Sequence, residues 1–418
     1  MVELKKCLFS FALILLGGFS GLSCAKSELN FALMVVNGEQ RNVYFDLVRK
    51  FERHYPSIKV NIQAVEQESY KQHFELWLKA GARSDVMFWF GGERLNEFVG
   101  QGLIEPIDDL WKHYNWQQKL TTSSRSATIV NGKEYGLPIH YYNWGVYYNK
   151  ALFEKYEFQE PQTWEQFIDI CAKLKEKGIT PIALGSKDDW PVAGWFDYLN
   201  LRLNGLGFHQ DLMSGQVSYQ DPRVRKVFAY LAQLSNSGYF LDSHSEQSWK
   251  SVFPYLYRDM AGMMLMGNFW TSQIPDTVKG KFSLFRFPQL DPNISYFEEA
   301  PTDLLLIPGN AQNKKDAAIF LNFMSNQDVQ FELNESLGML APQKETVYQK
   351  DHFLGIGADI LRAAKGLSQY YDRDNPQPMA TEGMKQIKRF IESPALLEEV
   401  LRELEKLRVN SFKHSPMP

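Results

Sequence analysis

An α/β fold divided between two lobes is what this sequence predicts, and three observations carry it. The chain has 418 residues, more than one compact core organises and suited to two domains of ordinary size. Its first ninety or so residues alternate strand-like and helix-like segments in the order β-α-β-α-β. That order implies a parallel sheet with helices on its faces. A further helix and strand begin after residue 163, behind the clearest helix-start signal in the chain.

Taken in order, residues 29–36 (LNFALMVV) read as a buried strand. Tyr44, Leu47, Val48, Phe51 and Tyr55 recur at helical spacing, and Pro56 ends that helix. Ile58, Val60 and Ile62 alternate as a strand does, and Tyr70, Phe74, Trp77 and Leu78 form a second helical stripe. A third strand, 85–90, runs into Gly91 and Gly92. Ligands of parallel sheets bind beyond the carboxyl ends of strands. The loops carrying Glu39 and Trp89 to Arg94 are therefore the ones that would meet a ligand.

Thr163-Trp164-Glu165-Gln166 is a capping box, in which the Thr hydroxyl and the Gln side chain each satisfy a free backbone N–H. Trp164, Phe167, Ile168, Cys171 and Leu174 then line one face, and Gly178 closes the helix in the left-handed conformation. Residues 179–184 read as a strand, and 222–240 and 245–257 as helices. Residues 261–270 read as a Met-rich strand leading into a loop, 304–308 as a short strand and 316–324 as a helix. The C-terminal part is helical and charged.

Composition narrows the function. The formal net charge is -4 with no basic stripe, which argues against nucleic acid as a partner. Lys5 and Lys6 precede an apolar run, Leu8 to Leu16, too short to span a membrane as a mature helix. Residues 1–25 therefore read as an export signal. Two processing outcomes stay open: ordinary cleavage before Lys26, or lipidation at Cys24 in a degraded lipobox. Of three cysteines only Cys171 lies within the domains, so no internal disulfide forms. No metal-ligand spacing, phosphate loop or dinucleotide loop occurs, and no cofactor is expected. Asp188-Asp189 and Glu298-Glu299 are sequence neighbours, and neighbours rarely flank one bond as glycosidase carboxylates must.

One segment carries more than pattern. Residues 138–155, PIHYYNWGVYYNKALFEK, resemble the signature of the family 1 extracellular solute-binding proteins. The stretches TWEQF at 163–167, KGITPIALGSKDDW at 177–190 and GLI-PIDDL at 102–110 are similar to the same family. So are the glycine–Trp270 strand end and Gly338–Pro342. The resemblance implies a two-lobe periplasmic-binding-protein fold with a ligand cleft between lobes. It implies about three hinge crossings, near 139–142, 300–304 and 341–345. The lobes would be 26–140 plus 304–343, and 141–303 plus 344–418. It further implies a monomeric, periplasmic, sugar-binding component of an ABC importer that delivers its ligand to inner-membrane permease subunits and is no enzyme. Two alternatives share the residues: a receptor of the same fold feeding a sensor kinase, and a carbohydrate-active enzyme.

A sugar site needs flat rings for C–H faces and polar groups for hydroxyls. Trp89, Glu93, Arg94 and Glu39 are the first-lobe candidates, against a core tryptophan and a solvated helix start. In the proposed hinge, alternation puts Tyr142 and Trp144 on one face and Tyr141 and Asn143 on the other. Tyr142 and Trp144 are taken as the ligand pair, although spacing does not decide which face is the cleft. His140 is read as satisfying a backbone carbonyl. Lys187, Asp189, Trp190 and Trp195 follow a predicted strand, with an exposed turn as the plainer reading. Asn268 and Trp270 end the Met-rich strand, and Trp270 resembles the family's stacking tryptophan. Asp303 would reach the cleft or brace the hinge. The ligand expected is a neutral mono- or oligosaccharide ahead of an anionic one.

Overall fold

The computed structural model describes residues 26–412, apart from 81–83, 345, 347 and 349–350. The expected export signal, with Cys24 and both processing alternatives, lies outside the described residues. The elements that place the site run β1 Ser27–Val35, α1 Gly38–His54, β2 Ile58–Glu66, α2 Gln67–Lys79, β3 Val86–Phe90 and β4 Leu137–Tyr141. The chain continues with β5 Trp144–Asn149, α3 Trp164–Glu176, β6 Thr180–Ile182, α4 Pro191–Met213, β7 Ala261–Gly267, β8 Phe282–Phe285 and β9 Thr302–Leu306.

The first sheet has the order β2-β1-β3-β9-β4. Strand β1 pairs in parallel with β2 from Ser27 opposite Ile58 to Val35 opposite Glu66, and with β3 at Phe31 opposite Val86. Strand β9 returns late in the chain and lies antiparallel to both β3 and β4. The second sheet has the order β8-β5-β7-β6, with β5 antiparallel to β7 and β8. The chain leaves the first sheet at Tyr142-Asn143. It comes back into it at Ala300-Pro301, and runs beside the first crossing again at Leu340. There Tyr141 and Leu340 exchange backbone hydrogen bonds of 3.0 and 2.9 Å, zipping two passes together.

Local chemistry explains the helix starts. Asn37 caps α1, its Oδ1 accepting from Gln40 N at 2.8 Å. The Thr163–Gln166 capping box forms in full at the start of α3, and Gly178 beyond it has φ 71°. Two expectations change. Of 245–257 only Phe253–Tyr257 is helical. Before it, Ser248 and Ser251 bond each other's backbone and side chains, which competes with helix, and Pro254 favours a first turn. Helix α4 is longer than anything read from the sequence there. It is buried on nearly every side, so it has no polar face to produce a periodic stripe. Gly205 breaks it with φ 78° and ψ 174°.

Candidate ligand-binding cleft

Between the two sheets lies a cavity of about 60 Å³. Its first wall follows from topology, because β1, β2, β3 and β4 all end beside it. Val36 follows β1, Gln40 sits in the first turn of α1, and Gln67 and Lys71 open α2. Phe88 and Phe90 share one face of β3, and His140 and Asp303 come from β4 and β9. The opposing wall is Trp144 of β5, Trp190 ahead of α4, and Phe269 after β7. Tyr142 in the first crossing and the segment Tyr370, Asp372 and Arg373 complete it.

The aromatic part is tightly ordered. Trp144 stacks on Tyr370 with centroids 4.6 Å apart and planes at 19°. Trp190 meets Trp144 edge-on at 6.0 Å and 82°. Phe269 sits 6.3 Å from Trp144 and 6.2 Å from Trp190. The indole N–H groups of both tryptophans are buried and find no partner among the described residues.

The polar part is a buried network. Asp303 accepts from Arg373 Nη1 at 2.6 Å and meets His140 Nε2 at 2.8 Å. Arg373 also donates to Tyr142 Oη at 2.6 Å and to Thr302 O at 3.2 Å, with its guanidinium 4.3 Å over the Phe90 ring. Burial works against the charge on Asp303, but Arg373 and then His140 outweigh it and hold the carboxyl below its ordinary range. His140 is thus paired with a carboxylate rather than the backbone carbonyl expected of it. Across the lobes, Lys250 Nζ donates to Val36 O at 2.5 Å. Its neighbour Trp249 packs 5.5 Å from both Trp190 and Phe269.

Behind the cleft, Asp197 Oδ2 accepts from Tyr371 N at 2.7 Å. Burial lifts the Asp197 carboxyl to about 8. Burial and then the adjacent Asp197 raise Glu299 well above its usual range. No N–H or hydroxyl group among the described residues donates to either oxygen of Glu299, whose hydrogen-bonding neighbour is the Asp197 carboxyl. Two buried carboxyls side by side cannot both ionise, so one proton stays on the pair. Glu298 next to it is instead charge-paired, with Arg202 at 2.8 Å and Arg286 at 3.1 Å.

Of the residues expected at the site, Tyr142, Trp144, Trp190 and Asp303 line the cavity. Trp89 does not: it points to the opposite face of β3 and lies flat on Phe74, 3.6 Å away at 7°. Arg94 is buried over that same indole, 5.2 Å from its ring. Trp195 packs among Phe167, Phe240 and Phe287. Trp270 is fully buried against Tyr147 and Phe282, 5.0 and 5.4 Å away. The 3-10 turn Asn268–Gln273 swings Phe269 into the cleft in its place. Asn268 is buried outside the cavity wall with both amide atoms unpartnered among the described residues. Glu39 is exposed while its neighbour Gln40 turns inward. Lys187 is exposed, and Asp189, at φ 62°, pairs with Lys388 at 3.2 Å. Glu93 faces a separate polar crevice and accepts from Asn96 at 2.7 Å.

Sequence reasoning missed Phe269, Gln40, Lys71 and, above all, Tyr370, Asp372 and Arg373. The signal available was Tyr370-Tyr371-Asp372-Arg373-Asp374, an aromatic pair beside alternating charge inside a stretch read only as charged helix.

The profile of the bacterial extracellular solute-binding proteins matches residues 38–331. The chain belongs to this family. As an extracellular solute-binding protein it is exported, and its relatives are receptors. An ABC transporter extracellular-binding protein of Pyrococcus horikoshii is 24% identical over 322 residues, covering 74% of this chain and 70% of that one. The multiple sugar-binding protein of Streptococcus mutans is 32% identical over 210 residues, 47% of this chain and 48% of that one. Among solved structures, the bacterial solute receptor AcbH, described as exclusive for β-D-galactopyranose, superposes with a TM-score of 0.85 at 25% identity. That match covers 93% of this chain and 99% of that one. A chitin oligosaccharide binding protein shares the fold with a TM-score of 0.83 at 22% identity, over 92% and 99% of the two chains. The architecture is the two-lobe periplasmic-binding-protein fold.

Proposed function

We propose that this solute-binding protein is the sugar receptor of an ABC importer, taking its ligand between the lobes and passing it to membrane permease subunits as a monomer. The observation that carries the reading is the cavity itself. Aromatic rings from both sides surround a buried polar network. The named relatives and neighbours that bind sugars support it. Lining charges balance, with Lys71 and Arg373 against Asp303 and Asp372, which favours a neutral ligand. Asp303 is held ionised by Arg373, so it is a poor general acid, and this favours a receptor over a glycosidase.

The lobes that move are those expected from the sequence with their bounds drawn at the crossings, since Tyr141, Thr302 and Asp303 pair within the first sheet and go with the first lobe; Glu345 in the third crossing lies outside the described residues. Ligand favours the closed state because only that state contacts it from both sides. A thermal-shift screen of the mature chain against neutral sugars, uronic acids and glycerol phosphates tests this. A bound sugar at a hundredfold excess over its Kd adds about 2.7 kcal/mol of stability. A saturable shift that Trp190→Ala abolishes supports the receptor, and none with any sugar sinks it.

A further inference from the structure

We infer that the cleft accepts one neutral sugar ring and excludes longer saccharides, with Tyr370 as the stop and Asp372 as a hydroxyl acceptor. This rests on the sugar-receptor reading above. On the scale used for the cavity, a single water needs about 10–15 Å³. About 60 Å³ is above that threshold, so the cavity admits a small polar ligand, and its extent is set by the groups that wall it.

One side of the cavity is walled by a fixed part of the protein. Tyr370 covers a face of Trp144 that a further ring would otherwise stack on. The tyrosine is anchored: its hydroxyl donates to Trp190 O at 2.6 Å and accepts from Gly194 N at 2.8 Å. Behind it the turn Tyr371–Asp374 divides the interlobe space. Asp372 and Arg373 face the aromatic cavity, whereas Asp374 faces a polar crevice of about 520 Å³ shared with Glu93. The first-lobe loop shuts down on this turn. Gly92 has φ 85°, and a Cβ there would lie 2.7 Å from Arg373 O. An oligosaccharide would have to break this partition to extend from one compartment to the other.

The chemistry inside fits a neutral polyol. Arg373 is already committed to Asp303 and Tyr142. That leaves the Trp144 and Trp190 rings to meet the C–H faces of a sugar and the Asp372 side-chain oxygens to accept from its hydroxyls.

The test is isothermal titration of the chain from Lys26 with neutral monosaccharides and with the di- and trisaccharides built from them. The expected result is saturable binding of at least one monosaccharide, at least tenfold tighter than any of its oligomers. Tyr370→Ala should narrow that ratio at least fivefold, while Tyr370→Phe, which keeps the ring, should retain it. Asp372→Asn should weaken the monosaccharide. An oligomer that binds wild type more tightly than its monomer overturns the one-ring inference and leaves the receptor reading standing. So does an unchanged ratio in a Tyr370→Ala chain with the wild-type circular dichroism spectrum. No binding by any sugar removes both.

Discussion

Arg373 and Asp303 meet at 2.6 Å inside the cleft, although 70 residues of chain separate them. One belongs to the C-terminal turn that divides the lobes and the other to β9 of the first sheet. The contact therefore ties the last part of the chain to the first lobe. Both groups are buried, so deleting one strands the other. Arg373→Met should cost roughly 3–5 kcal/mol in urea denaturation. Adding Asp303→Leu should recover part of it, because no lone charge then remains. A single-variant loss below about 1 kcal/mol would show the pair is not held in solution.

The Asp197–Glu299 pair sets a pH dependence with a definite sign. Their folded carboxyls are raised, Asp197 to about 8, while unfolded carboxyls ionise near 4. Between those values the native state holds a proton that the unfolded state has lost. Stability therefore falls as pH rises through the window and levels off above it. The slope is at most about 1.4 kcal/mol per pH unit for each proton. The midpoint should be higher at pH 5.5 than at pH 8.5, and Asp197→Asn should flatten the difference. A wild-type midpoint that climbs over this range contradicts the shared proton.

Trp270 and Trp190 separate stability from binding. Trp270 is fully buried in the second-lobe core, so Trp270→Ala should lose about 3–5 kcal/mol, and Trp270→Phe should leave Kd within twofold. Trp190→Phe keeps an aromatic ring but reduces the flat surface lining the cavity, and should weaken sugar binding by about 1 kcal/mol. Calorimetry and titration on the same samples compare the two. Equal effects on Kd would mean that the cavity described does not hold the ligand.

Lys250 donates across the lobes to Val36 O at 2.5 Å. Lys250→Met should weaken ligand binding by about 1 kcal/mol, roughly fivefold in Kd. Most of the change should fall in the dissociation rate, measured by stopped flow, since losing a closure contact speeds opening. A changed association rate with unaltered dissociation would argue against a role in closure.

Cys171 is buried, and burial raises its thiol far above the usual range. In a chain starting at Lys26 it should resist Ellman's reagent until the protein unfolds. Rapid labelling of the native protein would show that α3 opens locally.

The fold was legible because its strands are apolar runs bounded by turn residues and its helices carry caps. Asn37 and Thr163 both cap as their residue types require. The site was legible only in part, for reasons of parity and reach. Trp89 sits between Phe88 and Phe90, and a one-residue alternation decides which of them meets the ligand. Spacing cannot say which face is the cleft without the neighbouring strands. Tyr142 and Trp144 do share the cavity face, while Asn143 packs toward Gly357 on the other side. Phe269 replaced Trp270 because a 3-10 turn begins where an extended loop was expected. Arg373 could not be placed at all, since it reaches the cleft through a tertiary crossing near the end of the chain.

The Lys250–Val36 contact has an asymmetry worth following. Its acceptor is a main-chain carbonyl, present whatever residue stands at position 36. That one contact across the lobes is thus written into one lobe's sequence and not the other's. A substitution at position 36 leaves the acceptor in place, whereas a single codon at 250 removes the donor. A sensor engineered on this scaffold could be graded for different sugar concentrations by that one position, without touching any group the ligand recognises.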